Sequence, residues 1–133
     1  MKISSQAHYG LQASIILARN YPKIVSATEL EKNIGVSKKY LERIMRALST
    51  AGAVKANRGA SGGYTLTKSP NELSCGVIIR ALENDLKIVD CVVKPCSREC
   101  ESLFVWRKLY DGINEILDNI SLYDAVFNRS EDK

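Results

Sequence analysis

The chain has 133 residues, 45% of them hydrophobic and 26% charged, with four cysteines, one histidine and a formal net charge of +4. Length and composition suit one globular domain with a core of its own. No stretch approaches the roughly 18 apolar residues of a membrane span and the start lacks a signal peptide's apolar core, so cytoplasmic residence is expected.

Residues 5–20 predict a first helix, with Tyr9, Ala13, Ile16 and Leu17 on one face and Pro22 just beyond its end. His8, the single histidine, lies near its start. Ser26, with Glu29 three residues on, has the spacing of a capping box and opens a short helix over 27–33 that buries Leu30 and Ile34. Gly35 turns the chain into a third helix capped by Ser37, whose Leu41, Ile44, Leu48 and Ala51 mark a buried face. Gly52 stands where a left-handed residue closes a helix. Residues 54–57 and 64–67 read as two short strands, joined by the loop Arg58-Gly59-Ala60-Ser61-Gly62-Gly63. Two helices about a tight turn followed by a two-stranded wing make a winged helix-turn-helix.

The charges favour DNA as its partner. From 37 to 68 seven bases stand against one acid, a net +6, so the rest of the chain sums to −2. A basic helix face is by itself usually just solvated, but here it coincides with caps and a wing, as expected for phosphate contact. Ser37, Lys38, Lys39, Tyr40, Glu42, Arg43 and Arg46 would enter the major groove N-terminus first. Glu42 is the exception in charge. It either accepts a hydrogen bond from a cytosine amine or pairs with Arg46 one turn on, the latter worth only about 0.2–0.5 kcal/mol. In the wing, Gly59, Gly62 and Gly63 allow tight turns close to the duplex, Ser61 sits at the tip, and Arg58 reaches toward a narrow minor groove.

Residues 68–71 break the strand, and Ser74 caps a fourth helix holding Val77, Ile78, Ala81 and Leu82. Cys75, in its first turn, reads as a small buried thiol. Periodicity fades over 84–101, a loop that carries Cys91, Cys96 and Cys100. Leu103, Trp106, Tyr110, Ile113, Leu117 and Ile120 then recur at alternating steps of three and four, a heptad seam suited to a second subunit. Leu109 and Ile116 widen the stripe toward the helix's own domain. Ser121 and Asp124 mark a short last helix, and 128–133 a frayed tail. The fold class is therefore mainly α with a small β-wing, and a long C-terminal dimerisation helix. Residues 1–83 form the DNA-binding unit, 84–101 a cysteine-bearing sensor loop, and 102–133 the dimerisation helix and tail.

The chain resembles the IscR/NsrR type of winged-helix transcriptional regulators. The likeness rests on Met1-Lys2-Ile3-Ser4-Ser5, Val36-Ser37-Lys38-Lys39-Tyr40-Leu41-Glu42, Arg58-Gly59-Ala60-Ser61-Gly62-Gly63-Tyr64 and three cysteines near 91–100, and it extends to about Val126. It supports a base-reading role for Glu42. It also implies an iron–sulfur cluster, 2Fe–2S in preference to 4Fe–4S, held by Cys91, Cys96, Cys100 and one non-cysteine ligand. The gaps here are shorter than is usual in the family, and no histidine follows soon after the third cysteine. Other members carry a ligand-capable side chain on the first helix, reaching the partner subunit's cluster, and His8 occupies that part of this chain. Glu101 and Glu99 compete as carboxylate ligands, while Cys75, water or a small thiol remain further options.

The function expected is that of a bacterial, dimeric repressor or activator binding double-stranded DNA, with an iron–sulfur cluster sensing redox, iron–sulfur or nitrosative state. The alternative keeps the DNA but drops the metal: Cys91, Cys96 and Cys100 act as thiols, or a protein partner exerts control. An enzyme is not expected, since the sequence has no glycine loop after a strand for a nucleotide and no histidine–carboxylate pair.

Overall fold

Serine hydroxyls open most of the helices. Ser4, Ser26, Ser37, Ser74 and Ser121 each accept the backbone N–H three residues on, satisfying a donor that a helix start leaves unpaired. The computed structural model describes residues 2–83, 86 and 101–128. Its helices are α1 (Ser5–Asn20), α2 (Ala27–Ile34), α3 (Lys38–Thr50), α4 (Cys75–Leu82), α5 (Leu103–Asp118) and α6 (Leu122–Phe127). Strands β1 (Val54–Asn57) and β2 (Gly63–Leu66) form the antiparallel wing, with Val54 opposite Leu66 and Asn57 opposite Gly63. A 3-10 turn over Pro70–Glu72 leads from the wing to α4.

One core unites the head. Ala13 and Leu17 of α1 share it with Leu30 of α2, Leu41, Ile44, Met45 and Leu48 of α3, Ile78 of α4 and Leu122 of α6, all fully buried. Burying each of the larger side chains is worth about 1.5–3 kcal/mol, so this cluster holds α3 against α1. α4 also packs on α1, and at Gly10 a β carbon would run into the Leu82 side chain.

The elements follow the sequence expectations with small shifts at their ends. β2 begins at Gly63 rather than 64 because Gly63 pairs with Asn57. It stops at Leu66 because Thr67 turns to bond the Gly52 and Ala53 carbonyl oxygens. Ala51 is exposed as the C-cap of α3, and Met45 takes the place expected for it on the buried face. Gly52 is left-handed at φ 81°, as expected.

The larger difference concerns α5. Its apolar residues cover two adjoining faces, and the seam expected to meet a second subunit is mostly half-buried. Leu117 packs with Ala7, Ile79 and Leu86 of its own chain. Leu109 and Ile116, expected against the domain, are instead 46% and 62% exposed, beside Phe104 at 73%. The side of α5 that meets the head carries Leu117 together with Asn114 and Asp118, which accept from Arg80 of α4. α6 then returns to the head, with Leu122 in its core.

Candidate nucleic-acid interface

Packing decides which side of α3 faces outward. Leu41, Ile44, Met45 and Leu48 are fully buried, so Lys38, Lys39, Glu42, Arg43 and Arg46 are all exposed. The Ser37 hydroxyl accepts the Tyr40 N–H at 3.2 Å, and Tyr40 is half-buried. Its ring meets Tyr9 of α1 edge to face, with centroids 6.1 Å apart and planes at 84°. The first turn of α3 is thus fixed by a cap and an aromatic contact.

The wing lies next to it. Arg58, Gly59, Ala60 and Ser61 are exposed at the tip; Gly59 has φ 109°, and the Gly62 N–H donates to the Gly59 carbonyl oxygen at 2.9 Å. Such a turn needs glycine, because L side chains rarely adopt that φ. Between α3 and the wing runs a cleft of about 350 Å³ lined by Glu42, Arg46, Ser49, Ala56, Arg58 and Tyr64. Burial pushes the Tyr64 phenol above its ordinary pKa, the Glu42 carboxylate adds to the rise, and Arg46 opposes it. Among the described residues Glu42 and Arg46 make no ion pair within 4 Å. Tyr64 and Ser49 were not among the contacts read from the sequence. Nothing local to β2 signals that the Tyr64 ring borders Glu42, since burial along the strand runs half-buried, half-buried, buried, buried without alternation.

The cysteine site is divided by what the structure describes. Cys91, Cys96, Cys100 and Glu99 lie outside the described residues. Glu101 is exposed shortly before α5, and His8 is exposed on α1, its ring 5.2 Å from that of Tyr9. Among the described residues no three His, Cys, Asp or Glu side chains stand close enough to hold a metal. Cys75 is buried as expected, with its Sγ 3.9 Å from the Ser121 carbonyl oxygen. Burial, and after it the Asp124 carboxylate, push its thiol pKa up.

Residues 3–128 match the Rrf2 family, described as iron-dependent transcriptional regulators. The chain belongs to the Rrf2 family. It is 35% identical over 129 residues to the HTH-type transcriptional regulator CymR of Bacillus subtilis, covering 95% of this chain and 90% of that one. It is 30% identical to the regulator IscR of Pectobacterium carotovorum, over 97% of this chain and 81% of that one. The structure is likewise similar to that of B. subtilis CymR, the global cysteine regulator, at a TM-score of 0.82 with 34% identity, covering 95% of this chain and 96% of that one. T. potens IscR matches at 0.81 with 36% identity, over 98% and 90%. The Rrf2 relatives are named as transcriptional regulators, not enzymes, and regulation of transcription implies DNA as the partner. The winged-helix fold expected from the sequence is the fold of these neighbours. Among the described residues no helix is long and apolar enough to cross a membrane.

Proposed function

We propose that this Rrf2 regulator acts in the cytoplasm as a homodimer on double-stranded DNA, with an iron–sulfur cluster on Cys91, Cys96 and Cys100 controlling its operator affinity. The observation that carries the DNA reading is the exposed face of α3 with Arg58 beside it, five charged side chains turned outward by one buried stripe. Lys38, Lys39, Arg43 and Arg46 neutralise phosphates, the Ser37 and Tyr40 end of the helix enters the major groove, and Glu42 accepts from a cytosine amine. The wing residues Arg58, Gly59, Ser61 and Gly62 follow the adjacent minor groove. Residues 1–83 serve DNA, 84–101 sense, and α5 pairs two subunits through Phe104, Val105, Leu109 and Ile116, with α6 resting back on the head.

The donor set suits the cluster. Three thiolates within ten residues match soft iron, and the exposed His8 imidazole or the exposed Glu101 carboxylate can complete the set. His8 is the ligand we favour, and 2Fe–2S the cluster type. When bound, the group supplies one-electron redox chemistry and sensitivity to oxidants and nitric oxide. The chain's own part is to hold the three thiolates in a segment that leads directly into α5, so that a change there bears on the helix joining the heads. A second reading has support of its own: the likeness to CymR, named as a global cysteine regulator, favours control through the thiols themselves or through a partner protein.

Protein purified without oxygen is tested by visible absorption and by mobility shift on genomic DNA fragments. Charge-transfer bands that vanish in Cys91→Ala, together with shifted DNA, are expected. A colourless protein that shifts DNA and responds to thiol oxidants moves the assignment to the second reading. Absence of any shift sinks the DNA-binding function.

A further inference from the structure

We propose that Arg80 is a positioning residue that sets the angle of α5 against the DNA-reading head, and thereby the half-site spacing the dimer accepts. The inference rests on the dimeric reading above. The Arg80 guanidinium donates from Nε to Asn114 Oδ1 at 3.0 Å, from Nη1 to Asp118 Oδ1 at 2.7 Å, and from Nη2 to the Asn114 carbonyl oxygen at 3.4 Å. Asn114 is itself oriented, its Nδ2 donating to the Tyr110 carbonyl oxygen at 3.0 Å, which leaves Oδ1 for Arg80. Asp118 is the last residue of α5, an end where the helix dipole disfavours a carboxylate. The guanidinium compensates that charge and ties it to α4.

Gly76, one turn before Arg80, makes the approach possible. A β carbon there would stand 2.6 Å from Asp118 Oδ1 and 2.9 Å from Arg80 Nη1. Just beyond, the Cys75 N–H donates to the Ile120 carbonyl oxygen at 2.7 Å and the Leu122 N–H to that of Leu73 at 2.9 Å. The end of α5 is therefore pinned to the start of α4, and the planar fork of Arg80 adds the constraint on rotation and tilt. α4 in turn packs on α1, which shares a core with α3. The orientation of the reading helix relative to α5 thus passes through this contact.

Two-fold symmetry applies the same angle to both heads, so a change in tilt moves the two α3 helices apart or together. One base pair of spacer displaces the second half-site by about 3.4 Å and about a tenth of a turn, a fine scale against which to read such a change. The Arg80 and Asp118 side chains are 38% and 53% exposed, and pairs of that kind contribute little to stability. Loss of Arg80 should therefore alter geometry while leaving the fold intact.

The test measures binding of full-length wild type, Arg80→Met and Arg80→Lys to duplexes whose two half-sites are separated by spacers varied one base pair at a time. Wild type is expected to prefer one spacing by about tenfold over its neighbours, and Arg80→Met to flatten this to within about threefold. Arg80→Lys, which keeps the charge but not the fork, should fall between them. Base preference within each half-site and sedimentation mass should not change. Gly76→Ala, which wedges the contact by a different route, should displace the optimum, and it serves alone if Arg80→Met does not fold. A wild-type spacing profile in folded, dimeric Arg80→Met or Gly76→Ala overturns the inference and leaves the dimeric reading standing. A monomeric wild type, or one that shifts no DNA, overturns that reading and the inference with it.

Discussion

Val25 and Tyr64 hold each other by the backbone in both directions: the Tyr64 N–H donates to the Val25 carbonyl oxygen at 2.8 Å, and the Val25 N–H donates to that of Tyr64 at 2.9 Å. This bridge docks the wing against the segment that caps α2, and it places the Tyr64 ring beside Glu42. It is possible because Gly63 has no side chain; a β carbon there would collide with the Val25 carbonyl oxygen, which is backbone and cannot swing away. Gly63→Ala should cost about 1–3 kcal/mol of stability and weaken DNA binding with it. Urea unfolding and mobility shifts check both, and an unaltered unfolding midpoint would refute the docking argument.

Ile116 and Leu117 are neighbours in sequence, about 100° apart around α5, and they serve different surfaces. Leu117 packs on Ile79 and Ala7, whereas Ile116 is 62% exposed. Leu117→Asp should therefore unfold or strongly destabilise the monomer, by several kcal/mol. Leu109→Asp combined with Ile116→Asp should leave the circular dichroism spectrum intact and halve the sedimentation mass. A double variant that stays dimeric places the subunit contact elsewhere.

The charges on α3 should separate into two kinds by salt dependence. Lys39→Ala or Arg43→Ala, if the contact is to phosphate, should weaken binding alike on every sequence and reduce the log–log salt slope by about 0.9. Glu42→Ala should instead relax preference at one base pair, on a scale of about 1–3 kcal/mol. Binding-site selection at two salt concentrations distinguishes these outcomes. An unchanged preference would leave Glu42 without a base to read.

Cys75 should make stability fall on the alkaline side. Burial and Asp124 raise its folded-state pKa above the unfolded thiol's ordinary value of about 8.5. Its stabilising contribution is complete below that ordinary value and is lost as pH rises through the folded one, because the unfolded chain releases the proton first. Urea unfolding under reducing conditions at pH 7.5, 9 and 10 is expected to show a steeper loss in wild type than in Cys75→Ala. The difference in slope cannot exceed about 1.4 kcal/mol per pH unit for one thiol. Parallel slopes would mean that the thiol titrates as it does unfolded.

The winged helix is legible in the chain without coordinates, because the signals for it are local. A serine three residues before a free N–H, apolar residues at steps of three and four, a glycine after the last turn and a glycine-rich basic loop each act within a few positions. The outward set Lys38, Lys39, Glu42, Arg43 and Arg46 follows from the buried set by helical geometry, so it too was readable. The rotation of α5 is not legible in this way. Its apolar residues span two adjoining faces, and no periodicity within the helix says which meets the head; that depends on contacts distant in sequence, Leu117 on Ala7 and Ile79, and Asn114 and Asp118 on Arg80, 34 and 38 residues earlier. Tyr64 at the cleft beside Glu42 was hidden for the same reason. Its position depends on Val25, 39 residues earlier, and on the missing side chain of Gly63, a long-range contact that leaves no periodic trace in either segment.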